Sequence, residues 1–488
     1  MSYIEKKKRH VEKINIEKVN EVYLKVYCEA GTAAEISEYF TFEVPGARFM
    51  PAYRNRMWDG KIRLFSQLTR SLYVGLIHHL QRFCDERGYE LEYSNDFHPD
   101  EFSLKEAQEF VNELNPTMVP RDYQMDAFVY AVRHRRAVML SPTASGKSFI
   151  IYLLARWYNL KTLIVVPTTS LVHQMSSDFV SYGYKDDIHR ITAGVDKQSN
   201  HQFVVTTWQS IYKMPKQWFS QFGMVIGDEA HLFKAKSLSS IMEKLVDCKY
   251  RFGFTGTLDG TQTHKLVLEG LFGSVRKVTS TAELIEQKHL SSFNIKCVVL
   301  KYPDAICQAL KNATYQDEMD FLVRNENRNR FIKNLSLSLN GNTLLLFQYV
   351  DKHGQILYDM IKDNQVPTFF VHGGVEGTER EEIRKIVDAE NKSIIIASYG
   401  TFSTGINIRN LHNIIFASPS KSKIRNLQSI GRGLRKSETK DQATLYDIAD
   451  DLSWKSRKNH TIGHFVERCK IYDEEKFEYK IYTTRLKI

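Results

Sequence analysis

The chain has 488 residues, 42% of them hydrophobic and 25% charged, with a formal net charge of +10. Such a length exceeds one hydrophobic core and points to roughly three domains, and the absence of any apolar run of about 18 residues argues against a membrane span. The excess of positive charge favours polyanionic partners.

Met1 to Arg9 has charges without a following apolar core and does not read as a signal peptide. The six cysteines are scattered with no C-x-x-C pair, so no zinc site is expected and a reducing, cytoplasmic setting is. Val22 to Tyr27 alternates like a strand, whereas Ala33 to Tyr39 and Leu76 to Arg87 have helical spacing, the latter stopped by Gly88. Residues 1–112 are therefore expected to form a small α+β domain. Between Gly46 and Arg82, seven cations (Arg48, Arg54, Arg56, Lys61, Arg63, Arg70 and Arg82) face one acid, Asp59, and interleave with Phe49, Tyr53, Trp58 and Phe65. Cations neutralise phosphates and aromatics stack on bases, so Arg54, Arg56, Trp58 and Arg63 are candidate nucleic-acid contacts. The alternative is a hairpin around Asp59-Gly60 with its aromatics in the core. A helix over Leu104 to Leu114 and the Asn115-Pro116 and Val119-Pro120 breaks follow.

From Arg121 onward strand and helix patterns alternate, as in a parallel sheet with crossover helices. Gln124, near a helix start, has a paired donor and acceptor suited to an adenine edge. Ser141-Pro142-Thr143-Ala144-Ser145-Gly146-Lys147-Ser148 joins a buried strand to a helix and reads as a phosphate loop, with Ser141 standing where the usual first glycine would be. Thr143 to Gly146 would cradle the phosphates, Lys147 would reach their charge, and Ser148 would hold Mg2+. Thr168 and Thr169 end one strand, and Thr207 to Gln209 end another, where ligands bind in such sheets, although helix capping favours the same residues. Met224 to Asp228 is an apolar strand ending in Asp228-Glu229-Ala230-His231. Asp228 would help hold the metal and Glu229 would polarise a water.

The second half repeats the alternation without a second phosphate loop. Ser280 to Leu300 reads as a crossing, followed by strands such as Thr343 to Phe347 and Ser393 to Ser398, then Thr404 to Asn407. Gln428, Arg432 and Arg435 fall on one helical face, which would suit arginine fingers. The basic and aromatic tail either continues a nucleic-acid path or braces the domain before it, and bracing is expected.

Taken in order, Gln124, Ser141–Ser148, Pro167–Thr169, Thr207–Ser210, Asp228–His231, Thr255-Gly256-Thr257, Thr404–Asn407 and Gln428–Arg435 resemble helicase superfamily 2. Phe49 to Phe65, Trp218 to Met224 and Ala397 to Gly405 extend the resemblance toward a phage recombination DNA helicase. It implies an α/β protein with two tandem RecA-like parallel-sheet domains (113–285 and 286–450), a small N-terminal α+β DNA-binding domain (1–112) and a tail (451–488). It also implies ATP and Mg2+ as cofactors, ATP bound by Gln124 and the loop, and Thr255 and Thr257 coupling hydrolysis to movement. Lys147, Asp228, Glu229, Gln428, Arg432 and Arg435 are the implied catalytic set. The expected partner is DNA, especially branched intermediates of recombination and repair, met by Thr168, Thr169, Thr207, Gln209, Ser398 and Thr404 as well as the N-terminal patch. The protein is expected to be a monomer. A DEAH-type RNA helicase, suggested by His231, and an ATP-gated annealing clamp are the rival readings.

Overall fold

The computed structural model describes residues 12–93, 97–258, 261–401, 408, 410–419, 422 and 442–486. Two compact units divide the chain: Met1–Leu140 with Lys147–Val278, and Thr279–Ile488, with which Ser141–Gly146 groups.

The first unit starts with strands β1 (Lys13–Lys18) and β2 (Tyr23–Tyr27), the helix Ala30–Tyr39, and the short pair β3 (Thr41–Glu43) and β4 (Lys61–Arg63). After β5 (Phe65–Ser66), β6 (Ser71–Tyr73) and the helix Ile77–Arg87 comes β7 (Glu90–Glu92), giving a five-stranded sheet in the order β5-β6-β2-β1-β7. Its alternating strands turn Ile14, Ile16, Leu24 and Val26 inward against Ile36, Leu80 and Phe83 of the two helices. Gly88 stops the second helix in a left-handed turn at φ 69°.

No tight hairpin forms at Asp59-Gly60. Residues 44–60 instead make an excursion between β3 and β4, carrying a 3-10 turn (Ala47–Phe49) and a one-turn helix (Pro51–Arg54). Phe49 is 72% exposed and Tyr53 41%, so these rings are not core; of the four aromatics only Phe65 is buried, while Trp58 is half-buried.

Seven parallel strands follow: β8 (Arg136–Leu140), β9 (Thr162–Val166), β10 (His189–Ile191), β11 (Phe203–Thr207), β12 (Met224–Asp228), β13 (Tyr250–Thr255) and β14 (Val275–Lys277). They lie in the order β10-β11-β9-β12-β13-β8-β14. Central strands are apolar along both faces and are covered on each by helices, one layer built on Phe128, Ile151 and Leu154, the other on Trp218, Ile241 and Phe272. Register brings Leu140 beside Thr255, Phe254 beside Asp228, and Val166 beside Thr207, so these residues share the carboxyl edge of the sheet.

The N-terminal sheet is packed on this one. Glu21 donates its N–H to the Val246 carbonyl and binds Arg136, Tyr73 donates to Glu243 at 2.6 Å, and His79 meets buried Glu269 at 2.8 Å. Helix Gln262–Phe272 passes so close that a Cβ on Gly75 would collide with the Glu269 carbonyl.

The second unit holds its own seven-stranded parallel sheet, β15 (Ser292–Lys301), β16 (Thr343–Phe347), β17 (Thr368–Val371), β18 (Ile394–Ser398), β19 (Asn413–Phe416), β20 (Gln442–Asp451) and β21 (Tyr479–Arg485), ordered β17-β18-β16-β19-β20-β15-β21. β15 is a ten-residue strand inside this sheet, so Ser280 to Leu300 is not simply a crossing. The tail supplies β21, and Arg468 of its helix His460–Glu474 forms a buried ion pair with Asp447 at 2.7 Å. Among the described residues no helix is long and apolar enough to cross a membrane.

Candidate active site

The expected phosphate loop leaves β8 at Leu140 and enters the helix Lys147–Tyr158. Its turn is made by left-handed residues at Ala144 (φ 67°) and Gly146 (φ 78°); Ser141 is not among the positive-φ residues, so nothing in the backbone there requires glycine. Ser141 is fully buried and its hydroxyl lies 2.6 Å from that of Ser145, which in turn donates to the Pro142 carbonyl at 2.7 Å. The serine thus clasps the loop from inside. Thr143 and Ala144 are half-buried. Lys147 opens the helix, where orphan N–H groups and the helix dipole favour anions. Ser148 shares a 2.7 Å hydrogen bond with the Tyr182 hydroxyl. Tyr182 carries no sequence signal for this role, since it lies at the end of a helix 34 positions away.

Asp228 ends β12 and is 8% exposed. Burial and the adjacent Glu229 carboxylate raise its pKa to about 6, against the pull of Lys147. Glu229 takes a left-handed conformation at φ 50°, an uncommon one for a residue with a Cβ and frequent at functional sites. Its Oε2 is buried without a hydrogen-bond partner among the described residues and lies 3.4 Å from His231 Nδ1. His231 Nδ1 is also 2.9 Å from the Thr255 hydroxyl, which donates to the Thr257 carbonyl at 2.9 Å. A continuous polar path therefore links Glu229 to the end of β13. The adjacent Asp228 and Glu229 carboxylates, with Lys147 near enough to act on Asp228 and Glu229 Oε2 buried without a hydrogen-bond partner among the described residues, offer hard oxygen donors that fit a divalent cation.

Gln124 is 4% exposed and its Oε1 accepts the Arg121 N–H at 2.9 Å, so part of its recognition edge serves the helix start. Thr168 caps the helix Thr169–Ser181 through the Leu171 N–H, and Thr207, 7% exposed, bonds Ser210 at 3.0 Å. Thr169 and Gln209 are exposed. Ser398, half-buried at the end of β18, donates to the Thr401 hydroxyl at 2.8 Å. Thr404, Gln428, Arg432 and Arg435 lie outside the described residues.

Arg48, Arg54, Arg56 and Trp58 line a shallow concavity of about 820 Å3 on the 44–60 excursion. Arg63 is held by Asp59, whose pKa that hydrogen bond lowers to about 2, while Arg54 and Arg56 are exposed. Met57, 82% exposed, lines the same concavity and was not singled out in the sequence, and Phe49, 72% exposed, lies under the Arg48 guanidinium at 4.8 Å.

Residues 13–94 match the family described as "DNA helicase UvsW, N-terminal", residues 117–260 match "Type III restriction enzyme, res subunit", and residues 326–437 match "Helicase conserved C-terminal domain". The ATP-dependent DNA helicase uvsW of Enterobacteria phage T4 is 37% identical over 95% of this chain and 98% of its own. The chain belongs to the UvsW family of ATP-dependent DNA helicases. The crystal structure of T4 UvsW overlays it with a TM-score of 0.52 at 35% identity, covering 97% of this chain and all of that one. The DNA-bound Type ISP restriction-modification enzyme LlaBIII shares the fold at 16% identity, with a TM-score of 0.56 over 75% of this chain and 32% of its own. UvsW kinship accounts for both the paired seven-stranded sheets and the sheet that precedes them.

Proposed function

We propose that this helicase acts on branched DNA intermediates of recombination, repair and replication, unwinding or branch-migrating them as a monomer in the cytoplasm of its host. The observation that carries the branched-substrate reading is the 44–60 excursion, where the exposed Arg54, Arg56 and Met57 line one concavity and Arg48 lies over the exposed Phe49 ring at 4.8 Å. Cations of this kind hold phosphates in any sequence, and exposed apolar side chains can unstack bases where strands part. The domain limits 1–112, 113–285, 286–450 and 451–488 are proposed functional divisions.

In the proposed ATPase cycle, Thr143 to Gly146 offer backbone N–H groups to the phosphates and Lys147 neutralises their charge. Gln124 would recognise adenine through its amide. Ser148 and Asp228 would hold Mg2+, which when bound supplies charge neutralisation at the phosphates. Glu229, whose Oε2 has no hydrogen-bond partner among the described residues, is the proposed general base that orients the attacking water. Its path through His231 to Thr255 and Thr257 provides a mechanical link, because a change at the carboxylate reorders hydrogen bonds at the strand end. Gln428, Arg432 and Arg435 are proposed to stabilise charge on the transferred phosphoryl group. Thr168, Thr169, Thr207, Gln209, Ser398 and Thr404 are proposed backbone contacts, Thr169 and Gln209 being the exposed ones among those described.

ATPase stimulation by RNA, single-stranded, duplex and four-way-junction DNA tests this reading. Junction DNA should stimulate most and Lys147→Ala should abolish turnover; stronger stimulation by RNA would instead support an RNA helicase.

A further inference from the structure

At the amino-terminal edge of the first sheet, a cavity of about 180 Å3 lies beneath the N-terminal domain. Arg136 opens β8, Lys249 immediately precedes β13, and Gly273-Ser274 immediately precede β14. Leu140, at the other end of β8, feeds the phosphate loop. Four steps of about 3.3 Å separate the two ends, so the cavity stands at least about 13 Å from the ATP site.

Four cationic side chains, Lys18, Arg135, Arg136 and Lys249, line it against one lining carboxylate, Glu21. Glu21 is shared, binding Lys18 Nζ at 2.6 Å and Arg136 at 3.0 Å, while Arg135 is held by Asp100. Two carboxylates against four cations leave the described lining positive. Among the described residues, Arg136 Nη1 is buried with no hydrogen-bond partner. Burial and the nearby Arg251 guanidinium also lower the Arg136 pKa to about 10, as expected for a cation short of countercharge. A buried guanidinium donor left unmet is costly, and a fork of N–H groups matches the oxygens of a phosphoryl group. The volume is below the ~300 Å3 at which sites for drug-sized ligands begin, so it suits phosphate or pyrophosphate and excludes a whole nucleoside triphosphate.

We propose that this cavity binds a phosphoryl anion, separate from the ATP loop, supplied either as free pyrophosphate or as a backbone phosphodiester of DNA. Arg136 and Lys249 are its principal donors, and Glu21 fixes Arg136 in place.

The test uses full-length Lys147→Ala protein, so that the phosphate loop does not contribute. Pyrophosphate should raise its melting midpoint by about 2 °C or more, and adding Lys249→Glu or Arg136→Gln should remove that shift. Lys249 is an exposed side chain, so its variant serves even if Arg136→Gln fails to fold. In the second arm, if the phosphodiester is the ligand, Lys249→Glu lowers the log–log salt slope of duplex binding by about 1. A pyrophosphate shift lost in the variants identifies the free anion, and a change in slope alone identifies DNA. The proposal is overturned if neither effect occurs, if the pyrophosphate shift survives both variants, or if Lys105→Glu, on a side chain 84% exposed elsewhere, produces an equal loss.

Discussion

Ala144 and Gly146 take the left-handed turns of the phosphate loop, and Ser141 is left to hold it by a buried hydroxyl. Ser141→Gly should therefore keep ATPase activity near wild type while lowering stability by about 1–2 kcal/mol, through a lost buried hydrogen bond and a freer unfolded chain; denaturant titration alongside turnover checks both. Asp228 gives a pH-dependent expectation. Its folded pKa, about 6, is raised above the unfolded value, so the folded state binds the proton more tightly and stability falls as pH rises from about 4 to 6. Asp228→Asn removes that penalty. Without nucleotide or metal it should be more stable than wild type at pH 8, by about 2–3 kcal/mol, with the gap closing toward pH 4. A gap that is constant with pH would contradict the assigned environment. Lys147, Asp228 and Glu229 could be singled out from sequence because Asp228-Glu229 ends an apolar strand and Lys147 follows another through a short loop. Tyr182 could not, because its bond to Ser148 exists only once two helices pack.

At the scale of elements, continuous apolar runs marked the central strands of both seven-stranded sheets, and helix Leu104–Leu114 forms where it was expected, with Ser103 and Glu106 in a capping box that the sequence reading did not use. One reading and one alternative failed on long-range pairing. A strand-like pattern shows that a strand exists but not which partner it finds, so β15 was read as part of a crossing, and the alternative hairpin at Asp59-Gly60 fails because the chain leaves β3 for a long excursion before β4. That excursion has its own prediction. Phe49 and Met57 are exposed, so Phe49→Ala with Met57→Ala should change stability by no more than about 0.5 kcal/mol. Junction unwinding should nonetheless slow several-fold while ATPase on single-stranded DNA persists. Equal unwinding rates would remove these two side chains from the mechanism.

At the scale of the whole chain, the N-terminal sheet is built against the first motor sheet rather than tethered to it. Gly75 against Glu269, and the Glu21, Tyr73 and His79 contacts, make that junction part of the fold. Strand–helix alternation pointed to parallel sheets, and the helicase resemblance implied two RecA-like domains behind a smaller leading one. The packing of that domain and the return of the tail as β21 depend on long-range complementarity that no local pattern encodes. The central claim is that ATP hydrolysis at Lys147 and Glu229 drives the opening of branched DNA. Its most direct measurement is strand release from a labelled four-way junction with ATP present, comparing wild type with Glu229→Gln. Wild type should release strands, and the variant should bind ATP and junction yet release none. Release by Glu229→Gln at the wild-type rate would contradict the account.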